Sequence, residues 1–260
     1  MSGSSPPRTF ERDALSVEIH DGEDDLGRAA ARFVAAKLQE AIGANGRANL
    51  VLATGSSQFT FLDALKRNTA IPWDRITVFH LDEYQGMSAR HPASFRRYLR
   101  ERILDEVKPG RVHFLEGDAP DSQAEALRYE RLLESRPIDI ACIGIGENGH
   151  IAFNDPPVAD FDDSRLVKLV RLDERCRRQQ LGEGWFMSLE EVPTHALTLT
   201  IPAIMGSRHI SCVVPEERKA QAVADALNGP ISPACPASVL RRHPHARLFL
   251  DQSSASRIRF

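Results

Sequence analysis

Four short stretches of this chain carry side chains able to do chemistry, and one of them organises the rest. From Ile138 to Pro156 the sequence runs IDIACIGIGENGHIAFNDP: an apolar run interrupted only by Asp139, then three glycines, then His150. Asn148, Asn154 and Asp155 crowd around that histidine in the sequence. A His flanked by groups that orient it and tune its charge suits acid–base work near neutral pH. Gly144, Gly146 and Gly149 also spell G-x-G-x-x-G, the pattern of dinucleotide sites, whose third glycine must sit inside a helix. Pro156 and Pro157 stop any helix of useful length, so that reading fails on context.

The second stretch is Thr54-Gly55-Ser56-Ser57, placed between an apolar run and a helical pattern. Amides at a helix start and nearby hydroxyls bind phosphate; without the lysine of a P-loop, a sugar phosphate suits this loop better than ATP. The third is Asp82-Glu83-Tyr84, closing the apolar run ITVFHL. A carboxylate just past a central strand is partly desolvated, which raises its pKa toward use as a base. The fourth is Lys219, at the start of a helical pattern in PEERKAQAV. Each has a plain structural reading when taken alone: a surface His, a helix cap, a solvated loop pair, a solvated lysine. Together they describe a cleft for a small phosphorylated molecule. No His, Cys or Asp set has the spacing of a zinc site and no Ser lies in a nucleophile elbow, so neither metal nor cofactor is expected.

The elements that must position these groups alternate. Strands are expected at Leu15–His20, 49–53, 76–81, 112–115, 138–145, 196–201, 210–214 and 246–250. Helices are expected from DGEDD at 21–25 to about Ile42, ended by Gly43 and Gly46, then at 54–66, 92–107, 122–135 and 216–227. This order predicts an α/β fold of Rossmann-like type: a three-layer, mostly parallel twisted sheet with helices on both faces. Residues 1–8 are expected to be disordered and 9–260 to form a single domain.

Composition fits this reading. The 260 residues are 42% hydrophobic and 27% charged with net charge −3, which recommends neither nucleic acid nor a membrane surface as partner. The start has no apolar leader core and no run reaches transmembrane length. The scattered cysteines Cys142, Cys176, Cys212 and Cys235 suggest reduced thiols and a cytoplasmic setting. The expected partner is a small-molecule sugar phosphate, and a homo-oligomer is compatible with the sequence.

Several motifs in fixed order now add a resemblance. ATGSS at 53–57, FHLDEYQGM at 79–87, HPASFRRYL at 91–99, IGIGENGHIAFNDP at 143–156, VPTHALTLTIPAIM at 192–205 and VVPEERKAQAV at 213–223 make the chain similar to the glucosamine-6-phosphate deaminase family, within the group that also holds 6-phosphogluconolactonases. The resemblance implies isomerisation with deamination, glucosamine 6-phosphate and water giving fructose 6-phosphate and ammonia. It implies that Asp82 is the base moving a proton from C2 to C1 and that His150, supported by Asp155, opens the sugar ring. Thr54, Gly55, Ser56, Ser57 and Lys219 would hold the phosphate, with an Arg between about 175 and 185 for which Arg178 is the choice. The sequence departs from the family's pattern at Asn148, where an Asp is usual, and at Asp155, where a Glu is usual. Two other readings remain open: a lactone hydrolase, in which Asp82 has no proton to move, and a non-catalytic sugar-phosphate sensor.

Overall fold

In the computed structural model, residues 6–260 are described. Eleven strands are present among them: β1 Arg8–Arg12, β2 Leu15–His20, β3 Ala48–Leu52, β4 Ile76–His80, β5 Asp82–Tyr84, β6 Arg111–His113, β7 Ile140–Ile143, β8 Val167–Arg171, β9 His195–Leu199, β10 His209–Val214 and β11 Ala246–Asp251. The helices are α1 Glu23–Asn45, α2 Phe59–Lys66, α3 Phe95–Leu99, α4 Asp105–Val107, α5 Ser122–Glu134, α6 Glu174–Gly182, α7 Ile201–Met205 and α8 Ala220–Asn228, with a π-helical stretch Arg100–Leu104 joining α3 to α4. Eight strands form one sheet in the order β1-β2-β11-β10-β7-β3-β4-β6, parallel except for the β1–β2 hairpin at one edge. The expected α/β architecture is present.

Period-two patterning sorts the core onto the two faces of this sheet. Leu50, Leu52, Ile140, Cys142, Val213 and Phe249 pack with α1, α2 and the α3 region. Their neighbours Val51, Ala53, Ala141, Ile143, Cys212 and Leu248 pack on the other side with α5, α7 and α8. Asp139, the one charge in the central run, accepts from the Asn49 amide at 2.8 Å and so ties the start of β7 to β3. No described helix is long and apolar enough to cross a membrane.

Five expectations are corrected. Residues 1–5 of the segment expected to be disordered lie outside the described residues, and Arg8 opens β1, a strand the sequence reading did not find. Gly43 lies inside α1, which runs on to a cap at Gly46. The helix expected from Pro92 starts at Phe95, because the Ser94 side chain caps it by accepting from the Arg97 amide. The run at 196–201 does not join the main sheet. As β9 it pairs antiparallel with β5 and β8 in a separate three-stranded sheet, and Thr200 caps α7 instead of extending the strand. Asp82 therefore lies in a strand opposite Thr198, and not in a loop. The small sheet was hard to foresee because β5 has three residues, two of them acidic. A third apolar cluster, with Tyr84, Phe95, Phe153, Cys176 and Phe186, packs around it.

The main sheet has one consequence for function. From β3 the chain proceeds outward through β4 to β6, whereas β7, β10 and β11 lie on the other side of β3. The direction of winding reverses between β3 and β7, and at such a reversal the loops after the two strands part to leave a crevice.

Candidate active site

Four neighbouring strands, β10, β7, β3 and β4, each deliver one of the stretches singled out by chemistry. Lys219 follows β10, the His150 turn follows β7, Thr54 to Ser57 follow β3, and Asp82 follows β4. Most of these groups line a single open cleft. Thr54, Gly55, Ser57, Asp82, Gly146, His150, Arg218 and Lys219 all contribute to its wall.

Asp82 and Glu83 are adjacent and both buried, yet they are held differently. Glu83 accepts from the Ser94 hydroxyl at 2.8 Å and from the amides of Tyr84, Phe95 and Arg96, with the Arg96 guanidinium 3.4 Å away. It is the anchor of the α3 N-terminus. The Asp82 carboxylate faces the cleft and accepts no hydrogen bond from any described residue. Burial, with Glu83 beside it, pushes the Asp82 carboxyl up to about 8. Two residues earlier, burial lowers His80 to about 3, so its ring is neutral. Its backbone is clamped by Tyr129, whose hydroxyl accepts from His80 N at 2.7 Å and donates to a carbonyl oxygen of His80 or His113. The end of β4, two residues before Asp82, is thus fixed.

His150 lies flat on a tight turn closed by Gly149 N donating to Gly146 O at 3.0 Å. A side-chain carbon on Gly146 would sit 2.2 Å from the His150 ring, so only glycine allows this approach. The ring Nδ1 is 2.8 Å from Asp155 Oδ1, close enough for charge pairing although its N–H is not aligned on that oxygen. The same Oδ1 accepts from Asn148 Nδ2 at 2.9 Å, and Oδ2 accepts from the Asp173 amide at 3.2 Å. Burial pushes the Asp155 carboxyl up, but His150, Asn148 and the Asp173 amide together hold it below its ordinary value. Asp155 is fully enclosed and serves as the carboxylate behind the imidazole. Asn154 points away, its amide donating to the carbonyls of Ile151 and Leu199 as a strut.

Asn148 has a definite task in this arrangement: it donates to Asp155. Asn148→Asp would set two carboxylates about 3 Å apart, which folds only if they share a proton. The folded pair would then hold a proton that the unfolded chain releases, so stability is lost as pH rises. We expect a loss of about 1–3 kcal/mol near pH 8 and a smaller one near pH 5. Urea unfolding at the two pH values measures it, and an equal loss at both would remove the carboxylate contact as its cause.

The cradle at Thr54 to Ser57 starts with Gly55 at φ +102, a left-handed angle that favours glycine, and turns into α2 through a 3₁₀ turn at Ser56–Gln58. Tyr98 fixes it by donating to the Gly55 carbonyl at 2.8 Å. Lys219 is only 3% exposed, lines the same cleft, and its ammonium has neither ion pair nor hydrogen bond among the described residues. Burial and the neighbouring Arg218 push its ammonium below the ordinary value. An unpaired buried cation beside a loop of amides and hydroxyls suits an anion.

Arg178 does not reach this cleft. It is exposed on α6, pairs with Glu174 one turn back at 2.5 Å, and lines an adjoining depression with Glu147, Asn148 and Arg175, divided from the cleft by Gln179 and Arg218, which border both. The arginine in the cleft is Arg218, which donates to Ser56 Oγ at 3.1 Å and pairs with Glu147 and Glu216. Its position directly before Lys219 was the available signal.

The sequence reading also missed α6, whose charged stretch ERCRRQQLG shows no broad apolar face. It roofs the cleft through side chains: Gln179 accepts from the Glu147 amide at 2.9 Å and Gln180 accepts from Tyr84 OH at 2.7 Å. Gln179, Gln180 and Glu183 line the cleft from above. Glu83 and Tyr84, flagged with Asp82 in the sequence, are packing and anchoring residues.

One group of metal-ligand types forms among the described residues that sequence spacing did not reveal: His150, Asp155 and Cys176 offer atoms within 4.8 Å of one another. Burial, then Asp155, pushes the Cys176 thiol well above its ordinary value. With no metal bound it is held there as a neutral thiol against the carboxylate.

Residues 21–249 match the family described as glucosamine-6-phosphate isomerases/6-phosphogluconolactonase. The chain is 38% identical over 228 residues to a glucosamine-6-phosphate deaminase of Exiguobacterium sp., covering 88% of this chain and 87% of that protein. It is 35% identical over 251 residues to one from Arthrobacter sp., covering 94% and 93%. Among solved structures, a monomeric glucosamine-6-phosphate deaminase superposes with TM-score 0.85 at 34% identity, covering 93% of this chain and 99% of the other. A 6-phosphogluconolactonase from Shewanella baltica has TM-score 0.75 at 23% identity, covering 90% and 97%, and shares the fold. The chain therefore belongs to the glucosamine-6-phosphate isomerase/6-phosphogluconolactonase family.

Proposed function

We propose that this protein converts glucosamine 6-phosphate and water to fructose 6-phosphate and ammonia. The named activity of the relatives supports the reading. The observation that carries it is Asp82, a buried carboxyl without a partner, facing the cleft and raised to about 8. A group in that state takes and returns a proton near neutral pH, which is what moving a hydrogen between adjacent carbons requires. Hydrolysis of a lactone would leave it without a task.

In this reading the phosphate rests on the amides and hydroxyls of Thr54, Gly55, Ser56 and Ser57, with Lys219 and Arg218 supplying charge. His150 takes the proton of the anomeric hydroxyl and returns it to the ring oxygen as the C1–O5 bond opens. Asp155 steadies the imidazole while it carries that charge. Asp82 then removes the C2 proton, giving an enolamine, and delivers it to C1. The product is an imine at C2, which water hydrolyses to the ketone with release of ammonia. We place the protein in the cytoplasm, supported by four cysteines that are all free of disulfides.

The test is incubation of the purified protein with glucosamine 6-phosphate. Fructose 6-phosphate and ammonia are expected to appear in equal amounts. Absence of both products, or hydrolysis of 6-phosphogluconolactone in their place, would overturn the assignment.

A further inference from the structure

Glu183 stands where a site for an anion has least use for a carboxylate. It follows α6 and lines the cleft beside Thr54, Gly55, Ser57, Arg218 and Lys219. Its Oε2 lies 3.8 Å from where a side-chain carbon on Gly55 would be, so it hangs directly over the cradle. Its other oxygen accepts from Gln179 Nε2 at 3.2 Å, which fixes the carboxylate from the helix above. Its charge is felt by both Arg218 and Lys219. Arg218 is already engaged by Glu147 and Glu216, which leaves Lys219 as the unengaged cation of the cradle.

An ionised carboxylate only accepts hydrogen bonds. A fully ionised oxyanion also only accepts. Set against each other in a cleft of reduced dielectric, the two repel at hydrogen-bond range. A phosphate group that keeps one proton differs, because its P–OH can donate to the carboxylate while its other oxygens accept from the amides, hydroxyls and Lys219. A phosphate monoester has such a proton available, since its second ionisation falls near pH 6, and inorganic phosphate keeps at least one proton at that pH. Sulfate at that pH has none.

We propose that Glu183 makes the cradle a site that recognises the proton on its anion: it takes phosphate and phosphate monoesters as the singly protonated form and rejects sulfate. The proposal rests on reading Thr54 to Ser57 and Lys219 as the phosphate cradle. It does not depend on which reaction follows. It extends that reading by naming the ionic form of the ligand and the residue that selects it.

Calorimetric titration of the whole protein with inorganic phosphate and with sulfate, near pH 6 and at constant ionic strength, tests it. Phosphate is expected to bind roughly tenfold or more tightly than sulfate, since a like-charge juxtaposition is strongly penalised. In Glu183→Gln the amide can turn its NH₂ to the anion, so sulfate binding rises and the preference falls to within about threefold. Equal binding of the two anions by the unaltered protein would remove the role of Glu183 and leave the cradle standing. So would an unchanged preference in Glu183→Gln. If neither anion binds either protein, the cradle itself is refuted and the proposal falls with it.

Discussion

Asp82→Asn is expected to yield a folded protein that binds the sugar phosphate and hardly turns it over. The asparagine copies the shape of the protonated carboxyl, the form that a group raised to about 8 mostly keeps at neutral pH. It cannot accept a proton from carbon. Loss of a positioned base costs about 10²- to 10⁴-fold in rate, so kcat should fall by that much while sugar-phosphate affinity stays within about threefold. For the unaltered enzyme, kcat/KM, once corrected for the fraction of sugar phosphate that carries a proton, should rise with pH through about 8, as the base form appears. Stability should move the other way. The folded chain keeps the Asp82 proton up to about 8, whereas the unfolded chain releases it near the ordinary value of 3.8. The folded state therefore binds more protons between these values, and Asp82 lowers stability progressively as pH rises across that window. Asp82→Asn removes this loss, so its stability relative to the unaltered protein should grow from about pH 4 to about pH 8. A parallel loss of binding and turnover would make Asp82 a contact residue.

Glu83→Ala is expected to do the opposite: to unfold the protein more readily without removing a reacting group. Truncation strands the Ser94 hydroxyl and three backbone amides in a buried place and takes one of its two carboxylate partners from Arg96, which keeps Asp118. Breaking a buried pair of this kind costs about 3–5 kcal/mol, measurable as a shift of the urea midpoint. A cost of only about 0.5 kcal/mol, as at an exposed site, would show that the network does not hold α3. Two neighbouring carboxylates thus divide between chemistry and structure, and the division follows from what each one touches.

That division was not legible in the sequence, where DEY reads as one acidic patch. Strands such as Ala48–Leu52 and Ile140–Ile143 were legible because central parallel strands are buried on both faces and must be largely apolar. The groups at their C-terminal ends followed from the same logic: Thr54, Gly55, Ser57, Asp82, His150 and Lys219 all line the cleft, while Ser56 is turned to Arg218. The small sheet and α6 were not legible, because β5 is short and acidic and α6 is held by glutamine side chains and not by an apolar stripe. Arg178 failed for the same reason. Without a visible helix there was no way to tell which of its arginines face the cleft, and the exposed i, i+4 pair with Glu174 turned Arg178 outward. Cys176 reaches Asp155 across twenty-one residues of sequence, a proximity that only the fold creates.

The two ends of the main sheet bear on how copies of this protein meet. A sheet that is not closed leaves ladder groups free at its borders, and these can recruit a strand from another molecule. Here one border is β1, with Arg8, Glu11 and Arg12 among its five residues, and the other is β6, only three residues long. A foreign strand docking on β1 would have to strip water from that charge, and on β6 it would find too few bonds to hold. Backbone-driven polymerisation is thereby blunted at both borders, so that association in a crowded solution is left to side-chain surfaces, where charge and shape can be selective.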